Sequence, residues 1–360
     1  MSSIASVRFR KIVRPLRTVF RTSLGSKSLA TSVLVEVSLA GGAVGVGEVP
    51  TSFAVPHETP EAINTVLGEA RVGLKGMAIE DYPSALARLR GRFGEFHMTL
   101  SGLEVALFRA SLAARGQSEP GYWNAFSRNV ETDITVAFTH DLEALSDLLR
   151  RPAKIGFKHY KVKVSGDIQA DIVLVKTVRE ELDRLVAGAV IRLDGNQGYT
   201  AGTYRRMLDE LDKANIAIEL FEQPLVRDDF AGLRKIAGHA PVPVILDETV
   251  FDAQACRRVI DEGLGDGVNI KIAKSGITES VAIMKLARKA GLKLMIGCMT
   301  ETMVGLSVGI YMAAGTGVFD YVDLDAAHLL FNVRRQGAIT VAGPRYVISG
   351  RESSLTKGVE

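Results

Sequence analysis

The sequence predicts an α/β protein, a closed (β/α)7β barrel of the TIM type preceded by an α+β capping domain. Three observations carry that expectation. From Thr132 onward, short apolar runs end in polar residues and are each followed by a helix-length amphipathic stretch. The repeat is regular: 31 residues separate Lys163 from Asp194, then 28 lead to Glu222, 25 to Asp247 and 24 to Lys271, each about the length of one βα unit. Ahead of these repeats the pattern is different, with alternating strand-like segments followed by helices, and 360 residues leave room for a barrel and a smaller partner.

Taken in order, the first 35 residues carry Arg8, Arg10, Lys11, Arg14, Arg17, Arg21 and Lys27 without an acid, a bias shared with organelle-targeting segments. The alternation through Ser6–Val13 reads instead as a half-exposed strand. Strand-like alternation continues over 30–50, broken by the turn signal Gly41-Gly42. Thr59-Pro60-Glu61 has the cap residue, first-turn proline and early acid of a helix start, and Ser101-Gly-Leu-Glu104 reads as a capping box before an apolar run ending at Gly116. The barrel strands are expected at 134–139, 159–164, 190–196, 218–224, 244–248, 267–272, 293–298 and 319–325, separated by seven helices, with no clear eighth helix. The domain division that follows is a capping domain over 1–128, joined by a tail over 331–360, and a catalytic barrel over 129–330.

Composition narrows the function classes. Hydrophobic residues make up 47% and charged residues 24%, which is ordinary for an ordered globular chain. A net charge of +3 from 44 basic and 41 acidic residues is too even for a nucleic-acid or membrane-surface partner, and no apolar stretch is long enough for a span, so a small-molecule substrate is expected. Cys256 and Cys298 lie far apart and outside any CxxC spacing, which indicates neither a disulfide framework nor a thiolate metal site and fits a cytoplasmic setting.

Active sites of parallel barrels lie at the C-terminal strand ends, and here those ends are chemical. Strand two ends Lys161-Val-Lys163, strand three Asp194-Gly-Asn196, strand four Glu222-Gln-Pro224, strand five Asp247-Glu248, strand six Lys271 and strand eight Asp323-Leu-Asp325. Residues two apart on a strand share a face, so Lys161 and Lys163 point together, about 6.6 Å apart along the backbone, as do Asp323 and Asp325. Any one acid could be a helix cap or a solvated strand end. Three acids ending three consecutive strands, flanked by Lys163 and Lys271, call for a cation. An oxygen-only set selects a hard ion such as Mg²⁺, and no His is placed for zinc. A metal between two lysines suits removal of a proton next to a carboxylate, since the ion neutralises the enediolate and two opposed bases allow inversion. Lys161 beside Lys163 is expected to lower the latter's proton affinity.

On these motifs, in this order and spacing, the chain resembles the enolase superfamily, in the subgroup of muconate lactonizing enzymes, over nearly its whole length. The resemblance implies that Asp194, Glu222 and Asp247 bind Mg²⁺, that Lys163 and Lys271 are the acid/base pair, that Lys161 assists the substrate carboxylate, and that the first domain caps the barrel mouth. Within the subgroup, Asp323-Leu-Asp325 and Gly297-Cys-Met-Thr-Glu301 look like dipeptide epimerases, whose paired aspartates hold the substrate's α-ammonium. Thr135 and Cys298 are expected to line the substrate. Specificity is expected from Phe20–Lys27, Thr51–Thr59 and Met299–Met303. The pattern departs from an Ala-Glu epimerase at Leu24-Gly25, where a cation is expected; Arg21 or Lys27 are the substitutes, and Phe20 and Phe53 suit an apolar side chain. An o-succinylbenzoate synthase, an N-acylamino acid racemase or a cycloisomerase would keep the metal and lysines but gain nothing from Asp323 and Asp325. A non-catalytic binding barrel would keep the residues without turnover, and a Schiff-base aldolase would not need three acids. A symmetric homo-oligomer is the expected assembly.

Overall fold

Alternating burial along the first fifty residues builds a three-stranded antiparallel sheet in which β1 (Ile4–Thr22) pairs with β2 (Gly25–Leu39) and β2 with β3 (Val44–Pro50). The computed structural model describes residues 2–238, 241–331, 333 and 335–350. Helices α1 (Pro60–Leu74), α2 (Tyr82–Arg92), α3 (His97–Ala114) and α4 (Glu119–Tyr122) follow, and Val33, Val35, Ile63, Leu67 and Leu103 pack sheet against helices. Each such fully buried side chain contributes about 1.5–3 kcal/mol. Helix α1 starts as expected, with the Thr59 hydroxyl accepting from the Ala62 amide.

Helix α3 does not start at Ser101. It begins a turn earlier, at His97, and the two residues read as a capping box serve the contact with the barrel. Ser101 donates to the Ile272 carbonyl, and Glu104 accepts from the Thr278 amide (2.9 Å) and hydroxyl. A cap signature and a buried inter-domain hydrogen bond use the same residue types, so the sequence alone does not separate them.

After β4 (Asn129–Glu131) the βα repeat runs through β5 (Ile134–Val136), α5 (Leu142–Ile155), β6 (His159–Lys163), α6 (Ile168–Leu185), β7 (Val190–Asp194), α7 (Ala201–Lys213) and β8 (Phe221–Glu222). It continues through α8 (Phe230–Ile236), β9 (Val244–Leu246), α9 (Ala253–Glu262), β10 (Gly267–Lys271), α10 (Ile272–Lys289), β11 (Lys293–Gly297), α11 (Met303–Thr316) and β12 (Tyr321–Asp323). Eight parallel strands stand in chain order from β5 to β12, with seven helices between them, the (β/α)7β architecture. The first and last strands meet where the Asp133 amide donates to the Val322 carbonyl (3.2 Å) and the Leu324 amide to the Thr132 hydroxyl (2.7 Å). Strands end earlier than expected because Asn196, Gln197 and Gln223 turn to positive φ just after the acids. In place of an eighth barrel helix stands the single turn α12 (Ala326–Leu329).

The tail forms β13 (Arg335–Gln336), β14 (Ile339–Ala342) and β15 (Arg345–Ile348), and β15 pairs with β4. Ile339 and Tyr346 pack with Val105 of α3 and Leu306 of α11, so the tail is wedged where the first helices meet the barrel. Of the expected tail 331–360, positions 332, 334 and 351–360 lie outside the described residues. No helix among the described residues is long and apolar enough to cross a membrane.

Candidate active site

Position on the ring follows from strand order. Of eight strands, β6 and β10 are four apart and therefore stand across the barrel from each other, as do β8 and β12. Lys161 and Lys163 close β6 and Lys271 closes β10; Glu222 closes β8, and Asp323 closes β12 with Asp325 just beyond it. Two lysine-bearing strands thus face each other along one diameter, and acids face acids along the other.

All of these groups are buried and in contact. Lys163 donates to Asp194 Oδ2, and its Nζ lies 5.8 Å from the centre of the Phe20 ring. Lys161 donates to Asp323 and, at 3.1 Å, to Glu222 Oε2, with Asp194 Oδ2 at 3.6 Å. Across the mouth, Lys271 Nζ is 2.6 Å from Asp247 Oδ2 and 3.8 Å from Glu222 Oε1. Burial opposes the charge on Lys161 and Lys271, but the facing carboxylates outweigh it and hold both ammoniums above their ordinary range. The same pairing overcomes burial at Asp194 and Asp247 and keeps both carboxyls below theirs. Asp325 has weaker compensation: burial and the neighbouring Asp323 push it up to about 6.

A supporting layer orients these side chains. Lys274, one turn past Lys271, donates to Asp247 Oδ1 (2.8 Å), the Asp247 carbonyl (2.6 Å) and the Asn269 carbonyl (3.0 Å). Asn269 donates to Glu222 Oε1 (2.7 Å), the Gln223 amide oxygen accepts from the Asp247 amide (2.9 Å), and Asn196 donates to Glu248 (3.2 Å). The Thr135 amide donates to Asp325 Oδ2 (2.6 Å), and the Cys298 thiol lies 3.9 Å from Asp325 Oδ1. All ten residues expected at the site are brought to one barrel mouth. Lys274 was not among them, although a lysine one turn after Lys271 in an otherwise apolar stretch carried the signal.

Among the described residues no three acidic, His or Cys side chains form a closed cage, because Asp194, Glu222 and Asp247 are each turned onto a lysine. Their chemistry nevertheless fits a hard cation: three buried carboxylates at one mouth, with oxygen donors and no imidazole or thiolate among them. Buried polar atoms without a hydrogen-bond partner cluster in the same place, at Asn196 Oδ1, Glu248 Oε2, Asn269 Oδ1 and Asp323 Oδ1.

The cavity over these groups is walled by Phe20 and Leu24 from the β1–β2 hairpin, Phe53 after β3, and Met299 after β11, so each of the three segments expected to set specificity contributes. Lys27 also faces it. Its ammonium donates to the Thr51 carbonyl (3.3 Å) and lies 5.7 Å from the Phe53 ring centre, with no ion pair to it among the described residues, and burial lowers its pKa to about 8.

Comparison with known proteins agrees with this geometry. The enolase C-terminal domain-like family matches residues 144–349. An L-Ala-D/L-Glu epimerase of Thermotoga maritima is 31% identical over 352 residues, covering 96% of this chain and 98% of its own. A hydrophobic dipeptide epimerase of Citrifermentans bemidjiense is 30% identical over 338 residues, covering 91% and 89%. Among solved structures, the dipeptide epimerase of Enterococcus faecalis V583 in complex with Mg and L-Leu-L-Tyr superposes with a TM-score of 0.87 at 26% identity, covering 98% of this chain and 99% of that one.

Proposed function

This chain belongs to the enolase C-terminal domain-like family, and from that premise we propose that it is a Mg²⁺-dependent dipeptide epimerase that inverts the α-carbon of the second residue of an L,L-dipeptide. The observation that carries the reading is the crossed arrangement of the ring: lysines face each other between β6 and β10, while a metal-type acid and an ammonium-type acid face each other between β8 and β12. A free dipeptide has a carboxylate at one end and an ammonium at the other. Laid along the acid diameter, it puts the carbon next to its carboxylate on the lysine diameter.

Asp194, Glu222 and Asp247 would hold Mg²⁺, which supplies positive charge where negative charge grows on the substrate carboxylate. Lys161 donates to that carboxylate. Lys163 on one face and Lys271 on the other take and return the α-proton at Nζ, and each must be neutral to take it. A cation held by Asp194 and Asp247 would compete with the two ammoniums for these oxygens and so weaken the Asp247 contact, the largest of the carboxylate interactions that raise Lys271. Asp323 and Asp325 accept from the substrate ammonium, with Thr135 and Cys298 beside them. Residues 1–128 would form the cap that excludes water over a barrel of 129–330, with the described strands of the tail packed against β4. A cytoplasmic setting, which the two free thiols Cys256 and Cys298 fit, and a symmetric homo-oligomer complete the reading.

The test is a panel of L,L-dipeptides in heavy water with Mg²⁺, read by mass gain and by the appearance of the L,D isomer. Acidic second residues belong in it because Lys27 offers an unpaired cation, and apolar ones because Phe20 and Phe53 offer walls. Epimerisation with α-deuterium uptake is expected; absence of both across the panel rejects the reading.

A further inference from the structure

Two carboxyls that the proposed chemistry does not use meet at the start of α11. Glu48, from β3, is 2% exposed and accepts from the Thr302 amide (2.9 Å), the Thr302 hydroxyl and the Gly305 amide (3.1 Å). These are orphan donors of the helix's first turn, where a carboxylate also meets the positive end of the helix dipole. Beside it, Glu301 accepts from the Met299 amide (3.1 Å), while the Glu301 amide donates to the Met299 carbonyl (2.9 Å). A Cβ on Gly305 would lie 2.0 Å from Glu301 Oε2 and 3.4 Å from Glu48 Oε2, so only glycine lets both carboxyls approach the first turn. Burial first and Glu48 second push Glu301 up to about 8, with Lys271 and Arg109 the cations facing it, so the pair does not bring two full negative charges together at neutral pH.

The segment pinned in this way is the cavity wall. Cys298, Met299 and Thr300 line the space above the reacting groups, and Cys298 borders Asp325. Arg109 of α3 adds a second strap, donating at once to the Val46 carbonyl of β3 (2.7 Å) and the Val304 carbonyl of α11 (2.8 Å). We propose that Glu48 is a positioning residue for the reaction: a carboxylate of the N-terminal sheet that fixes the loop after β11 and so sets the pocket wall around the ammonium-binding aspartates. The inference rests on the epimerase reading for its kinetic readout alone.

The test has an arm independent of turnover. Cys256 is fully buried and Cys298 lies in the loop, so the labelling rate of Cys298 by a small thiol reagent, read by mass spectrometry on the folded full chain, reports the loop's position. Glu48→Gln leaves one oxygen for donors that now use two and should speed Cys298 labelling about tenfold. In the Mg²⁺-loaded enzyme it should raise KM for a free dipeptide by about the same factor, with kcat within about twofold. Glu104→Gln, which loosens a contact between α3 and the barrel away from this loop, at Thr278, should leave the labelling rate unchanged. An unchanged rate in Glu48→Gln, equal acceleration in both variants, or a fall in kcat at constant KM would each overturn the assignment. If Glu48→Gln does not fold, Thr302→Val, which removes only the hydroxyl donor, should show smaller shifts in the same direction, and wild-type values there overturn it equally. Wild-type enzyme silent on every dipeptide would sink the epimerase reading while the labelling arm still decides the role of Glu48.

Discussion

The N-terminal sheet and helices and the barrel mouth both bury carboxylates, but they satisfy them differently. Glu58 accepts from the amides of Met98 (2.9 Å) and Thr99 (2.7 Å) and from the Thr99 hydroxyl; Glu48 is held by α11, and Glu104 by Thr278 and Arg90. Backbone amides and neighbouring hydroxyls, with the Arg90 guanidinium at Glu104, fill their lone pairs, and none of these three acids retains a buried oxygen without a partner. At the mouth, acids face flexible ammoniums, and four polar atoms in the same cluster have no partner. A buried acid saturated by amides is architecture. One paired with a mobile cation, among unfilled acceptors, is arranged for something to arrive.

The largest effect that could break this contrast is at the two lysines. Lys163→Ala and Lys271→Ala should each lower epimerisation by about 10²–10⁴-fold or more. Each variant should still exchange the α-hydrogen of the one diastereomer whose proton faces the remaining lysine, read by deuterium uptake from separate L,L and L,D substrates. Full epimerisation in either variant would remove the two-base account. Next, Asp323→Asn should raise KM for free dipeptides by about 10–100-fold, the value of a lost charged hydrogen bond, and far less for N-acylated analogues; equal losses would reject the ammonium role.

The contrast is sharpened by Glu58→Gln. Loss of a saturated acid should cost about 1–3 kcal/mol of stability, seen as a lower Tm, while kcat stays within about twofold. The smallest effect is with pH. Burial and Asp323 push Asp325 from an ordinary 3.8 up to about 6, so below about pH 6 it should lose the charge proposed to pair with ammonium, and kcat/KM for free dipeptides should fall about tenfold per unit. Stability moves the other way. Between those two values the native state binds a proton that the unfolded chain does not, so Asp325's contribution declines as pH rises through that window. Asp325→Asn should remove that contribution and flatten the stability profile between those two values.

The barrel was legible because parallel strands buried on both faces leave apolar runs that only helices interrupt, and because six of the eight runs ended in charged groups that cost too much to bury without purpose. Strand ends were overdrawn where Gln223 and Asn196 turn back, since φ leaves no mark on side-chain pattern. Ser101 and Glu104 were misassigned because a helix start and a domain contact draw on the same residues. Glu48 gave no signal: one acid in Gly45-Val-Gly-Glu-Val-Pro50 looks like any exposed strand position until the helix it reaches, 254 residues later, is in place.

In the proposed mechanism the two bases stand across an eight-stave ring. With Lys163 and Lys271 as that pair, exchanging which amine starts with the proton would exchange substrate for product. Such a catalyst has no arrow of its own, and the net flow must be set by whatever draws off one diastereomer.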